Sequence, residues 1–226
     1  MMELRAEKIS RDFLRHGAKD GIFMAVQETD LYLEAGTLTV VTGRSGSGKS
    51  TLLHMLGGLL PPLTGRVLLD GADLYALSEE ERTKLRSRAI GMAPQRLMAI
   101  ASLTVRENIL LPALVAGEEP AAAARADELM ERLDIRKLSE VYPSELSGGE
   151  LRRMTIARAL VMHPGVLLAD EPTGDLDEEN TRLVLDLLRE TADAGAAVLL
   201  VTHEREATGD ADTCCTMATG VLERVS

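Results

Sequence analysis

Three apolar runs stand out along the chain with no polar interruption: TLTVV (37–41), VLLA (166–169) and AVLLVT (197–202). A strand with one wet face alternates apolar and polar positions, so unbroken runs predict strands covered on both faces, as in a parallel sheet. Between the last two runs, Leu183, Val184, Leu187 and Leu188 recur at helical spacing, and Gly195 follows where a helix C-terminal cap is expected. Strand, helix, strand is a βαβ unit, so the pattern predicts an α/β core.

Elsewhere the pattern changes. GRVLLDGADL (65–74) reads as a short strand ending in the hairpin signal Asp70-Gly71. Together with Gly36 ahead of TLTVV, it predicts a small antiparallel β layer on the N-terminal side. From about 78 to 160 the apolar positions are mostly helical, as with Leu129, Met130 and Leu133. We found no internal repeat and no low-complexity linker. The reading is therefore one domain over 1–226, with a core at about 1–77 and 161–226 and an inserted helical lobe at about 78–160.

Composition narrows the picture. Apolar residues make up 45% of the 226, enough for a sizeable core, but aromatics are 2% and Trp is absent, so aliphatic residues must fill it. The net charge of −11 argues against a nucleic-acid partner, which needs a basic face. Cys214 and Cys215 are adjacent and match no metal or redox spacing, as expected for small core residues in a reducing compartment. The start, MMELRAEKISRDF, lacks a signal-peptide apolar stretch, and no run approaches the ~18 residues that span a bilayer. The expectation is a soluble, cytoplasmic protein.

The chemistry begins after TLTVV. GRSGSGKST (Gly43, Arg44, Ser45, Gly46, Ser47, Gly48, Lys49, Ser50, Thr51) fits G-x-x-x-x-G-K-[ST], with a strand before it and a helical pattern after it. Glycines let such a loop turn its N–H groups onto a phosphate. Lys49 would reach the β- and γ-phosphates, and the Ser50 hydroxyl would bind Mg²⁺. VLLADE then brings Asp170 and Glu171 to the C-terminal edge of a buried strand, where α/β proteins bind ligands. Asp170 suits a Mg²⁺ ligand and Glu171 a general base for an attacking water. His203 follows AVLLVT at the same edge, within reach of a γ-phosphate. Gln95 by itself is a polar residue near a turn. SELSGGELRRMTIARAL (144–160) is a second anion-suited feature, with Ser147, Gly148 and Gly149 opening a helix whose first N–H groups lack partners.

In this order, the P-loop, Gln95, LSGGE (146–150), LLADE (167–171), the Asp of GDLD and His203 resemble the ATP-binding subunits of ABC transporters, over essentially the whole chain. LSGGE is the diagnostic element, absent from P-loop kinases and GTPases. SGSGKSTLLHMLGGL, LTVRENILLPAL, YPSELSGGE and LADEPTGDLD further resemble the subgroup that powers lipoprotein release, macrolide or antimicrobial-peptide export and the cell-division complex. The resemblance implies an α/β P-loop NTPase fold and ATP hydrolysis with Mg²⁺. It also implies two copies closing around two nucleotides, and an integral-membrane permease holding the chain at the inner face of the membrane. It makes Phe13 the aromatic that stacks on adenine, Gln95 a sensor of Mg²⁺, Asp177 the aspartate of a loop between the two sites, and His203 the switch histidine. Ser147, Gly148, Gly149 and Glu150 would serve the nucleotide of the other copy. Three departures are visible: Glu150 where Gln is usual, Asp175 where the subgroup commonly has Asn, and RLMAIA (96–101), which lacks the usual aromatic and proline. A soluble ABC ATPase acting on DNA or the ribosome is the alternative. It fits poorly with the charge, the single cassette and the compact lobe.

Overall fold

The computed structural model describes residues 2–14, 21–96, 98–203 and 208–225. Two sheets form the core. One is antiparallel, in the order β2-β1-β4-β5: β1 is Leu4–Leu14, β2 Ile22–Leu33, β4 Thr64–Leu69 and β5 Ala72–Asp73. The other has the order β10-β9-β3-β8-β7-β6, from β3 (Leu38–Thr42), β6 (Ile90–Ala93), β7 (Val166–Asp170), β8 (Ala197–Thr202), β9 (Thr213–Ala218) and β10 (Val221–Arg224). Its strands run parallel except β10, which returns on β9 as a hairpin.

The uninterrupted apolar runs have the cause expected of them. Along β8, Val198 and Leu200 join one buried cluster while Ala197, Leu199 and Val201 join another. The first cluster is roofed by α3 (Val105–Ala116), α4 (Glu119–Arg132), α5 (Gly148–Leu160) and α6 (Glu178–Asp193). The second is roofed by α1 (Lys49–Leu56) and the antiparallel sheet. Each strand residue thus meets apolar cover whichever way it points. Asp70 and Gly71 turn β4 into β5, both with positive φ (48° and 80°), the conformation of a two-residue hairpin loop. Gly195 follows α6 with φ 105°, just past the Ala194 cap.

Within the stretch expected as a helical lobe, residues 90–93 form β6, the edge strand of the parallel sheet, preceded by α2 (Glu79–Ala89). Ile-Gly-Met-Ala is too short and too weakly patterned to be told from the helical turns around it. Its place beside β7 carries Gln95 to the same sheet edge as Asp170. Cys214 and Cys215 are free thiols on β9, with Cys215 buried and Cys214 half-buried. Among the described residues, no helix is long and apolar enough to cross a membrane.

Candidate active site

The loop between β3 and α1 lines one side of a cavity. Gly46 and Gly48 have φ of 79° and 109°, and a Cβ on Gly48 would lie 2.0 Å from the Ala25 carbonyl oxygen, so only glycine fits there. Helices α2, α3, α5 and α6 each begin with a side chain capping their free N–H groups: Ser78, Thr104, Ser147 and Asp177. Helix α1 begins at Gly48 with no side-chain cap, which leaves its first-turn N–H groups to an anion. The buried Lys49 Nζ donates to the carbonyls of Gly43 (2.7 Å) and Arg44 (3.2 Å), folding its charge across the loop. Among the described residues, the buried Ser47 hydroxyl has no hydrogen-bond partner, a donor available to a phosphate oxygen.

This loop forms one side of a cavity of about 970 Å³, lined by residues from widely separated parts of the chain. Arg44 to Thr51 come from the P-loop, Phe13 from β1, and Gln95 from the loop after β6. Asp170 and Glu171 come from the end of β7, and His203 from the end of β8. Residues as far apart in sequence as Arg44 and His203 meet here because β3, β8, β7 and β6 are parallel neighbours ending at one edge.

Asp170 is 3% exposed, and burial pushes its carboxyl above the usual range, with Glu171 adding to the effect. A hydrogen bond from Ser50 and the electrostatic influence of His54 and Lys49 act the other way. Ser50 hydroxyl, Asp170 carboxylate and Gln95 amide are hard oxygen donors on one cavity, the donor type Mg²⁺ takes. Among the described residues, no group of three His, Cys, Asp or Glu could hold a metal alone, so the donor set fits an ion that completes its shell with water and phosphate oxygens. Glu171 sits in the left-handed region (φ 49°), its N–H bonded to the Val201 carbonyl (2.8 Å). Its Oε2 lies 2.8 Å from His203 Nδ1 and accepts from the Thr202 hydroxyl at 3.3 Å. An acidic group held by an imidazole beside a phosphate loop can orient and deprotonate a water.

The remaining expected residues lie elsewhere. Ser147 and Gly148 are exposed at the start of α5, and Gly149 and Glu150 are half-exposed. Asp177 is exposed and caps α6, accepting from Asn180 N at 2.8 Å. None of these five lines the cavity. Sequence reasoning missed Phe23, which stands directly across β1–β2 from Phe13 and lines the same cavity. The available signal was that these are the only two Phe in the chain, flanking one hairpin. It also missed Ala25, whose importance is its carbonyl against Gly48, which no residue type announces.

Comparison with known proteins agrees with this geometry. The ABC transporter family model matches residues 26–174. The lipoprotein-releasing system ATP-binding protein LolD of Xanthomonas axonopodis pv. citri is 40% identical, over 89% of this chain and 82% of its own. The methionine import ATP-binding protein MetN of Bradyrhizobium diazoefficiens is 42% identical over 89% of this chain, which spans 58% of the MetN length. Among solved structures, the dimeric ABC transporter cassette MJ0796 superposes with a TM-score of 0.89 at 29% identity, covering 99% of both chains. The same cassette bound to ADP and Pi gives 0.88 at 28% identity, again over 99% of both. A chain whose cavity pairs a phosphate loop with Asp170, Glu171 and His203, and which matches these cassettes end to end, belongs to the ABC transporter family.

Proposed function

We propose that this chain is the ATP-hydrolysing subunit of a membrane transport or force-transmitting complex, working as a pair of copies with two nucleotides between them. The observation that carries the reading is a mismatch within one chain. The P-loop cavity gathers Glu171 with the oxygen-bearing side chains of Ser50, Asp170 and Gln95, whereas the exposed, glycine-opened start of α5 does not line it. Gly148 is open, with nothing within 4 Å of where a Cβ would stand. A second copy would offer that surface a phosphate.

In the cavity the P-loop amides and Lys49 would hold the β- and γ-phosphates, with Phe13 against the base. Mg²⁺, held by Ser50 and Asp170 with Gln95 near, would neutralise charge on the phosphate oxygens. Glu171 would take a proton from a water as its oxygen bonds to the γ-phosphorus and the bond to the bridging oxygen breaks, leaving ADP and inorganic phosphate. His203 would fix Glu171 through the 2.8 Å contact and meet the γ-phosphate. Ser147, Gly148, Gly149 and Glu150 would complete the partner copy's site, with Asp177 beside them.

A permease at the inner membrane face is the second part of the reading. A groove of about 260 Å³ between α2, α3, α5 and β6 is lined by Met92, Leu111, Val115, Met162, Arg86 and Arg158. Burial pulls both guanidinium groups below their ordinary range, Arg86 with help from Arg82. Met98, Ile100 and Leu114 are also exposed, the first two within residues 96–101, of which Leu97 lies outside the described residues. An apolar segment carrying an acidic residue would satisfy the groove.

The test is Glu171→Gln with ATP and Mg²⁺. The expected variant binds ATP, does not turn it over, and elutes as a dimer by light scattering. Undiminished hydrolysis removes Glu171 as base, and a monomer at saturating ATP, alone and with the permease, removes the paired site. Arg158→Glu should separate the chain from its permease while leaving ATP binding intact.

A further inference from the structure

A buried cation joins the two halves of this machinery inside one chain. Arg152, in the second turn of α5, is 5% exposed. One of its terminal nitrogens donates to the carbonyls of Pro94 (3.3 Å) and Gln95 (3.0 Å). The other lies against the Gly174 backbone, 3.5 Å from where a Cβ would stand. The carboxylates of Asp175, Asp170 and Glu171 attract it and offset part of the cost of burying the charge. Gly149, one turn earlier on the helix, packs against the same loop, with Leu176 Cδ2 at 3.4 Å and the Asp175 carbonyl at 3.6 Å from its Cβ position. That loop is closed by hydrogen bonds from Gly174 N to Glu171 O and from Leu176 N to Thr173 O.

A buried guanidinium is costly, and an apolar side chain of similar volume would fill the same space more cheaply. What an apolar residue could not do is bind two loops at once. We infer that Arg152 is a positioning residue that locks the Gln95 loop and the 171–177 loop to the first turns of α5. The half-site at 147–149, which serves the partner copy, is then aimed only when both loops of the chain's own nucleotide site are seated. This rests on the paired-site reading above and names the link by which one site reports to the other. The route is short: from Gln95 and Glu171, through one guanidinium, to the helix start.

The test uses the full chain and three readouts: ATP Kd, turnover per bound nucleotide, and ATP-closed dimer in the Glu171→Gln background. Arg152→Met keeps volume and removes every donor. It should hold ATP Kd within about threefold of wild type, lower turnover at least roughly tenfold, and prevent the Glu171→Gln dimer. Arg152→Lys, with a charged donor, should recover about a third of the turnover or more. A side chain that only supports the fold would lower melting temperature and the bindable fraction but leave turnover per bound nucleotide unchanged. That result overturns the inference, as does Lys performing no better than Met. If Arg152→Met does not fold, Asp175→Asn replaces it, because Asn tolerates the left-handed backbone there (φ 65°) and removes the carboxylate that attracts Arg152 most. It should lower turnover about threefold at unchanged Kd, and wild-type turnover overturns the inference. Failure of the Glu171→Gln single variant to dimerise, both by itself and with the permease, refutes the paired site. Dimerisation that persists after Arg152→Met refutes only the lock.

Discussion

Ser147 carries two duties that can be separated by magnitude. Its hydroxyl accepts from Glu150 N at 3.3 Å and donates to Glu150 Oε2 at 2.7 Å, while its own N–H donates to the same oxygen at 2.8 Å. This reciprocal cap fixes the first turn of α5, and losing it costs about 1 kcal/mol. In a chain of this size that is a melting shift of roughly 2–4 °C, too little to unfold the protein or slow turnover at 25 °C. The proposed second duty is a hydrogen bond to a phosphate of the partner's nucleotide. For that, the single hydroxyl proton must leave Glu150, while the acceptor role toward Glu150 N is kept. A hydrogen bond to a charged group is worth about 1.5–3 kcal/mol, or roughly 10- to 150-fold in rate if made in the transition state.

Two substitutions split the duties. Ser147→Ala removes cap and hydroxyl, whereas Ser147→Gly removes the hydroxyl but keeps most of the cap's value, since Gly costs only a few tenths of a kcal/mol there. The expected outcome is the same turnover loss of at least about tenfold in both, with a melting shift in Ala alone and no change in ATP Kd. Turnover would be followed by phosphate release at saturating ATP and Mg²⁺, and melting by differential scanning fluorimetry. If Ser147→Gly turns over within about threefold of wild type, Ser147 is a helix cap and nothing more.

Three other outcomes follow from the same structure. Lys49→Met should weaken ATP at least about tenfold by calorimetry, since its charge is folded across the phosphate loop; retained tight binding refutes the P-loop assignment. Gly48→Ala meets the Ala25 carbonyl at 2.0 Å and should cost roughly 3 kcal/mol or more in urea unfolding, against roughly 1 kcal/mol for Gly46→Ala, which has positive φ but nothing within 4 Å; equal midpoints refute the close-approach argument. Glu81, Glu150 and Asp212 are held below ordinary carboxylate values, first by the Ser78 hydroxyl, the Ser147 hydroxyl and the Arg189 guanidinium respectively. A depressed folded value stabilises above the unfolded pKa and is lost as pH falls through the folded one. Melting temperature should therefore stay level down to about pH 5 and decline below about 4.5; a decline already between about pH 8 and 6 would assign the loss to other groups.

The likeness to cassettes for both lipoprotein release and methionine import, at 40% and 42% identity, marks what such similarity can carry. Near-equal identity to two systems with different named cargoes does not choose between them. The apolar groove of α2, α3 and α5, where a permease would sit, is built from Met92, Leu111, Val115 and Met162, side chains that can exchange without touching the phosphate chemistry.

The sequence by itself determined whatever is local. The P-loop is contiguous, so its glycines, Lys49 and Ser50 could be read directly. The apolar runs reported burial on both faces because each strand residue reports its own cover. Asp170, Glu171 and His203 were legible as ends of such runs. Tertiary structure decided what depends on meeting across the chain. The pairing of β6 with β7 brings Gln95 to Asp170, and the β1–β2 register sets Phe23 opposite Phe13. The Ala25 carbonyl forbids a side chain on Gly48, and Arg152 bridges carbonyls and carboxylates more than fifty residues before it and about twenty after it. Periodicity records whether a residue is covered, not by what, so the partners of a buried arginine come only from the fold.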